Sequence, residues 1–271
     1  MRLTERQQRE LDYHRAQAKQ FKHLLTQPVS YEAIESGQHR WWNAYWQMFR
    51  LLKSLRLAGR NILVLGCGYG QDALLLARLG ARVHACDLSD ESISLAKALA
   101  EREKLSIDFK QMPAEQLNYP DAFFDCVLAR DILHHVDIPD ALGEVVRVLA
   151  PGGIFIFNEI YTHSLLDRIR RSRFIDKILY PRMVRFVYGT ARPYITPDER
   201  KLNEREVASI LERFDSLMTH QYYDAIIGRI APVNVFLSKL DRLCLRLAGP
   251  LARLLGGRVL AAGRIQKGAP E

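Results

Sequence analysis

Cysteine is scarce in this sequence of 271 residues, and the four cysteines present are not arranged for chemistry. Cys67, Cys86, Cys126 and Cys244 are far apart and form no C-x-x-C pair, which argues against a zinc site and a disulfide framework and fits a reducing, cytoplasmic compartment. No apolar run reaches the roughly 18 residues that a bilayer-spanning helix needs. Residues 1–27 are polar and charged throughout and lack the apolar stretch that secretion requires. Internal repeats, low-complexity tracts and flexible linkers are absent as well, so one domain with insertions is the expected architecture.

What is present is an ordinary globular composition, 48% hydrophobic and 26% charged, with a formal net charge of +8 that is unevenly placed. Residues 165–186 carry seven Arg or Lys against two Asp, and residues 225–271 carry eight against Asp241 and Glu271. The remainder is mildly acidic. These two accessory segments suit an anionic substrate, a nucleic acid or a membrane surface, or simply a solvated face.

From residue 61 to 159 short apolar runs alternate with helical stretches, the pattern of a mostly parallel α/β sheet. Strands are expected at 61–65, 82–87, 106–111, 124–129 and 153–159, with helices over 71–79, from Ser89 to about Glu103, and over 141–149. Ser89 is a good N-cap, Gly80 a plausible C-cap, and Pro151 cannot continue a helix. Upstream, 1–60 reads as a helical cap in which Trp41, Trp42, Tyr45, Trp46 and Phe49 cluster at helical spacing, mostly as core. Downstream, 61–271 reads as the core domain with helical insertions near 163–200 and 225–256, a helix over 203–213, a strand around 216–223 and a final strand over 258–265. Residues 233–255 place Phe236, Leu240, Leu243 and Leu247 on one helical face and Lys239, Arg242 and Arg246 largely on another.

Gly66-Cys67-Gly68-Tyr69-Gly70 follows an apolar strand and opens a helix, where a nucleotide-like ligand approaches the backbone of an α/β sheet. Without a Cβ such a turn takes positive φ and brings main-chain N–H groups close to the ligand near a helix N-terminus. Asp87 ends the second strand, where a carboxylate can accept from both hydroxyls of a ribose. A dinucleotide site would place its third glycine at position 71, which is Gln71; the observed third glycine is Gly70.

That G-x-G-x-G spacing resembles motif I of the class I S-adenosylmethionine-dependent methyltransferases, and the resemblance continues in order. Met112-Pro113-Ala114-Glu115 follows the third strand, Ala122-Phe123-Phe124-Asp125 leads into the fourth, Leu133-His134-His135-Val136 follows it, and Pro151-Gly152-Gly153 precedes the fifth. The likeness is greatest to the methyltransferase type 11 group, and implies a Rossmann-like sheet whose last strand is antiparallel. It implies S-adenosylmethionine as cofactor, with Gly66, Cys67, Gly68 and Gly70 at its amino-acid part and Asp87 on its ribose. Leu88 would flank the adenine, Pro113 and Ala114 would sit at its edge, and Arg130 would lie near the methionine moiety. Relatives often carry an acid two positions before the first glycine. Here Val64 stands there, and Asp72 faces another way, which leaves Tyr13, His14 and Tyr31 of the cap as helpers in holding the cofactor.

Methyl transfer to a hydroxyl needs alignment, exclusion of water and a home for the proton. His135 is the first choice of general base, with His134, Glu159 and His163 behind it. Asp131, His134 and His135 fall where ubiquinone-pathway O-methyltransferases have Glu, Glu and His, a metal-like set, yet Leu-His-His is common in metal-free relatives, and no metal is expected. Arg130-Asp131-Ile132-Leu133 lacks the Asn/Asp-Pro-Pro-aromatic sequence of nucleobase methylases, and the basic segments lack interleaved aromatics, which argues against nucleic acid. The expected partner is a small hydrophobic or amphiphilic acceptor: phenolic, polyketide, quinone-like or lipid-linked. The 233–255 helix is expected as a peripheral membrane contact, a lid or a homodimer contact. A non-catalytic cofactor-binding subunit and an NAD-dependent oxidoreductase are the rival readings.

Overall fold

Asn61–Leu65 (β1) is a run of apolar side chains because both of its faces are covered, the signature of a central parallel strand. Ile62 and Val64 enter one hydrophobic core and Leu63 and Leu65 the other. The computed structural model describes residues 3–170, 172, 200–225 and 234–265. The basic run from 173 to 186 and the start of the 225–256 insertion lie outside the described residues.

β1 lies between Arg82–Asp87 (β2) and Phe124–Arg130 (β4), all three parallel. Ile107–Gln111 (β3), Leu149–Ile160 (β5), Phe214–Tyr223 (β6) and Arg258–Ile265 (β7) complete a seven-stranded sheet of order β3-β2-β1-β4-β5-β7-β6. β7 is antiparallel to both of its neighbours, the reversed last strand that the family resemblance implies. The chain winds outward from β1 to β3, then crosses back to β4. That switch point opens a crevice beyond the carboxyl ends of β1 and β4.

On one face lie Ala44–Ser54 (α1), Gln71–Arg78 (α2) and Asp90–Arg102 (α3), packed through Phe49, Leu74 and Ala96. On the other lie Ile138–Val148 (α4) and Glu204–Leu211 (α5), packed on Phe155 and Phe157 through Val145, Val207 and Ile210. Truncating either phenylalanine to alanine should cost about 3–5 kcal/mol. Ser89 caps α3 by accepting from the Ser92 amide at 3.1 Å, and Asn203 forms a reciprocal capping box with Glu206 at the start of α5.

The boundary before the fifth strand changes. The helix expected to reach Leu149 stops at Val148, because Leu149 already pairs with Phe124 in the sheet; β5 thus begins before the glycines, and a register shift near Phe124 absorbs them. The helix within 233–255, observed as Val235–Leu247 (α6), presents its apolar stripe outward and buries Asp241, Arg242 and Leu245. Of the N-terminal aromatics, Phe49 and Trp46 are buried, whereas Trp41, Trp42 and Tyr45 are half-buried. Among the described residues no helix is long and apolar enough to cross a membrane.

The N-terminal helix Glu5–Ala18 is fastened over the crevice by polar contacts. Arg6 donates to the carbonyls of His134 and Val136 at 3.1 and 3.2 Å, Gln7 donates to Glu115 at 3.1 Å, and Arg15 pairs with Asp90 at 2.9 Å.

Candidate active site

The turn after β1 is left-handed at each of its glycines, with φ of +63° at Gly66, +51° at Gly68 and +82° at Gly70. A Cβ on Gly66 would come within 2.5 Å of Ile132, and one on Gly70 within 2.9 Å of Ala96, so these two glycines let neighbouring elements close in. A Cβ on Gly68 would meet nothing within 4 Å, because that residue faces open space in the crevice. Asp87 locks the turn to β2: one carboxylate oxygen accepts from the Gly68 amide at 2.8 Å and the other from the Ser89 amide at 2.9 Å. Each oxygen retains a second acceptor direction for a ligand diol.

The crevice encloses a cavity of ≈ 740 Å³. Gly66, Cys67, Gly68, Asp87, Leu88, Pro113, Ala114, Arg130, His134 and His135 all line it; Gly70 and Glu159 do not. Gly70 instead sits at the N-cap of α2, where its left-handed backbone and missing side chain admit Ala96. Burial pushes the Cys67 thiol well above its ordinary range, which keeps it neutral. The lid is made by Gln7, Glu10, Phe21, Leu24 and residues 27–30. Of the proposed cap helpers, Tyr31 turns away to donate to Glu103 at 3.1 Å, Tyr13 is not in the cavity wall, and the His14 side chain lies outside the described residues.

At the end of β4, Arg130 donates from Nε to Asp72 at 2.6 Å and from Nη1 to Asp131 at 3.1 Å, and its guanidinium lies over the Tyr45 ring. Burial alone would weaken the Arg130 charge, but the two carboxylates outweigh it and hold the group firmly protonated. Asp131 in turn accepts from Arg258 at 2.7 Å; burial raises its carboxyl, and Arg258 with Arg130 brings it below its ordinary range. Val64 is part of the core. Asp72, two positions after the turn, is buried, spent on Arg130 and outside the cavity wall.

The histidines sit on a short 3-10 turn, Leu133–His135, with ring centroids 4.0 Å apart. His134 Nδ1 lies 2.8 Å from Glu159 Oε2, and Glu159 Oε1 accepts from the amides of Ile132 and Leu133 at 2.7 Å each. Since a carboxylate only accepts, His134 carries a proton on Nδ1, which leaves Nε2 as the ring position for proton exchange. Glu159 is 0% exposed and stands behind this turn, where it orients His134 without reaching the cavity. His135 Nδ1 lies 3.1 Å from Glu10 of the cap, and His163 is drawn 4.0 Å from Glu204, away from the cavity. Among the described residues no group of three or more His, Cys, Asp or Glu side chains is placed to hold a metal ion.

Residue type alone does not reveal Glu10, Phe21 or Ile132 as members of this wall, although Tyr69 and Gln71 could have been read from their place in the glycine turn. Phe21 meets Tyr69 with ring centroids 4.4 Å apart, so a cap residue covers the motif itself.

Comparison with known proteins gives concordant matches. A methyltransferase domain family matches residues 63–157. The chain is 42% identical over 99 residues to a ubiquinone biosynthesis O-methyltransferase of Methylocella silvestris, covering 36% of this chain but only 39% of that relative's length. It is 30% identical over 167 residues to the protein of the same description from Paraburkholderia phytofirmans, covering 56% of this chain and 72% of that one. In fold it resembles geranyl diphosphate C-methyltransferase from Streptomyces coelicolor, solved with S-adenosyl-L-homocysteine, with a TM-score of 0.60 at 15% identity over 98% of this chain and 100% of that one.

Proposed function

The chain belongs to the class I S-adenosylmethionine-dependent methyltransferases, and on that footing we propose that it methylates a hydroxyl group of a small, hydrophobic, quinone-like or other phenolic acceptor. The observation that carries this reading is the His134–Glu159 pair, a histidine on the cavity wall backed by a buried carboxylate. The names of the curated relatives, ubiquinone biosynthesis O-methyltransferases, support the choice of oxygen and of a quinone-like ring.

When bound, S-adenosylmethionine supplies an electrophilic sulfonium methyl group. The residues present fit it: the Gly68 turn leaves room where a side chain would intrude, and Asp87 keeps acceptor capacity for a diol. Leu88, Pro113 and Ala114 offer an apolar wall for a flat base, and Arg130, already neutralised by Asp72 and Asp131, borders the site without adding an uncompensated charge. The cap residues Phe21 and Leu24 exclude water, so that the acceptor and the methyl group can be held in line. His134 Nε2 takes the hydroxyl proton as the oxygen becomes nucleophilic, while Glu159 holds Nδ1–H and steadies the resulting imidazolium. His135 joins the cap to the site through Glu10.

The test is incubation of the full chain with S-adenosylmethionine and a panel of alkyl-substituted catechols, phenols, amines and thiols, with S-adenosylhomocysteine and methylated product read by mass spectrometry. Turnover of the phenolic members, with His134→Asn binding the cofactor normally but losing about 10²–10⁴-fold in kcat, is expected. Turnover confined to amines or thiols removes the O-methyl reading, and cofactor binding with no turnover of any acceptor makes the chain a silent binding subunit.

A further inference from the structure

A second cavity, of ≈ 620 Å³, lies between α5, the end of β6 and the helix α6, and shares no lining residue with the first. Its charge is lopsided. Arg242, Arg246 and Arg253 all line it, and none of the three forms an ion pair among the described residues. The one carboxylate in the wall, Glu204, is already engaged by the Ser164 amide at 2.8 Å and by the Ser164 hydroxyl. Burial works against its ionisation, yet those bonds hold it down at about 2.

Arg242 is only 5% exposed, and its partners are neutral. Nη1 donates to the Tyr222 carbonyl at 3.0 Å, Nη2 donates to the Gln221 side chain, the guanidinium lies over the Tyr223 ring, and Nε has no hydrogen-bond partner among the described residues. Burial lowers its pKa and the neighbouring Arg246 lowers it further, while Tyr223 and Asp224 oppose them only in part. The His220 Nε2, also buried in this wall, has no hydrogen-bond partner among the described residues. A buried cation whose hydrogen-bond acceptors are neutral and which lies next to like charge has its desolvation cost compensated only in part, and an anion entering the cavity would offset the remainder.

The mouth of the cavity adjoins an apolar surface. Gly249 and Pro250 line the cavity, and beside them Leu247 and Leu251 are 80% and 60% exposed, continuing into Leu243 and Phe236 along α6. The single acid of α6, Asp241, is turned inward and accepts from the Ala225 amide at 2.7 Å, so the outer face of this helix is apolar and cationic with no negative charge. We propose that this cavity binds the phosphate group of an amphiphile, with Arg242, Arg246 and Arg253 around the phosphate and the alkyl chain lying on the Leu247–Leu251 surface. The ligand is either a headgroup of an anionic membrane or a soluble alkyl phosphate. The site is independent of the methyl-transfer reading, because it shares no residue with the cofactor cavity.

Isothermal titration of the full chain with inorganic phosphate and with dodecyl phosphate below its micelle concentration tests this, in the presence of saturating S-adenosylhomocysteine. Dodecyl phosphate should bind at least about tenfold more tightly than phosphate, Arg246→Glu with Arg253→Glu should weaken both by at least about tenfold, and Leu247→Ser with Leu251→Ser should weaken only dodecyl phosphate. All four positions are exposed, so these variants should fold. Binding that is unchanged in the arginine variant, that is abolished by S-adenosylhomocysteine, or that is equal for the two ligands would overturn the proposal. Sedimentation with phosphatidic acid vesicles but not phosphatidylcholine vesicles, lost in the arginine variant, assigns the membrane as source; dodecyl phosphate binding without sedimentation assigns the soluble one.

Discussion

Replacing Glu159 by glutamine keeps its shape and removes its charge, which separates the part it plays in the fold from the part it plays in orienting His134. The carboxylate accepts from two amides at 2.7 Å and from His134 Nδ1 at 2.8 Å. The glutamine carbonyl can keep both amide bonds, but as neutral ones. Charge-assisted bonds stabilise by about 1.5–3 kcal/mol and neutral ones by about 0.5–1.5, so the loss is about 1 kcal/mol for each amide and for the His134 bond, about 3 in all. In a chain of this size that lowers Tm by about 6–12 °C and leaves it folded. The glutamine NH2 then faces Nδ1–H, and the donor–donor clash is relieved when His134 moves its proton to Nε2. A ring protonated on Nε2 cannot accept the acceptor's proton. The expected kcat loss is about 10²–10⁴-fold, or about 3–5 kcal/mol in the barrier, with the S-adenosylhomocysteine affinity within threefold of wild type. Steady-state kinetics with the best phenolic acceptor, beside calorimetry and thermal melts, give the three readouts. A folded Glu159→Gln with full kcat refutes the assignment of His134 as base, and equal losses of affinity and kcat make Glu159 a purely structural residue.

Asp87→Ala removes the acceptor of the Gly68 and Ser89 amides as well as the ribose partner, and should weaken S-adenosylhomocysteine at least about 100-fold by calorimetry. Affinity within threefold of wild type would mean that Asp87 only ties the turn to β2. Burial lowers the pKa of His220 below its ordinary value, so the unfolded chain takes up a proton that the folded chain refuses. Stability should therefore be fully present above about pH 6.5, fall as pH drops through that value, and level off once the folded histidine also protonates. Denaturant melts in phosphate-free buffer across that range should show the slope in wild type and a flatter one in His220→Phe; identical slopes would remove His220 as the cause.

Features set by one residue's own stereochemistry were legible in the sequence. The glycine turn could be read because positive φ and close approach both demand a missing Cβ, and Ser89 could be read as a cap because its side chain bonds three residues ahead. Features made by the sheet's crossover were not. Asp72 and Arg130 lie 58 positions apart, and only the parallel pairing of β1 with β4 brings the start of α2 to the end of β4. The contact of Glu10 with His135 depends likewise on how the N-terminal helix settles over the crevice, and the polar sequence of that helix carries no period that fixes its orientation.

Glu159 is the instructive intermediate case, because composition makes it a base candidate while periodicity places it elsewhere. Phe155 and Phe157 share one face of β5 and enter the core that also holds Leu63 and Leu65, and Tyr161 extends the same alternation. Glu159 falls on that face by its odd position in the strand, so the side chain must point into apolar surroundings. A buried carboxylate persists only with donors around it. Two of those donors are backbone amides, and the third is the first histidine of the Leu-His-His run, since the second is turned towards the cap. The strand alternation therefore suits Glu159 to the part of a positioning residue in the proposed mechanism, and by the same step favours His134 over His135 as the proposed base.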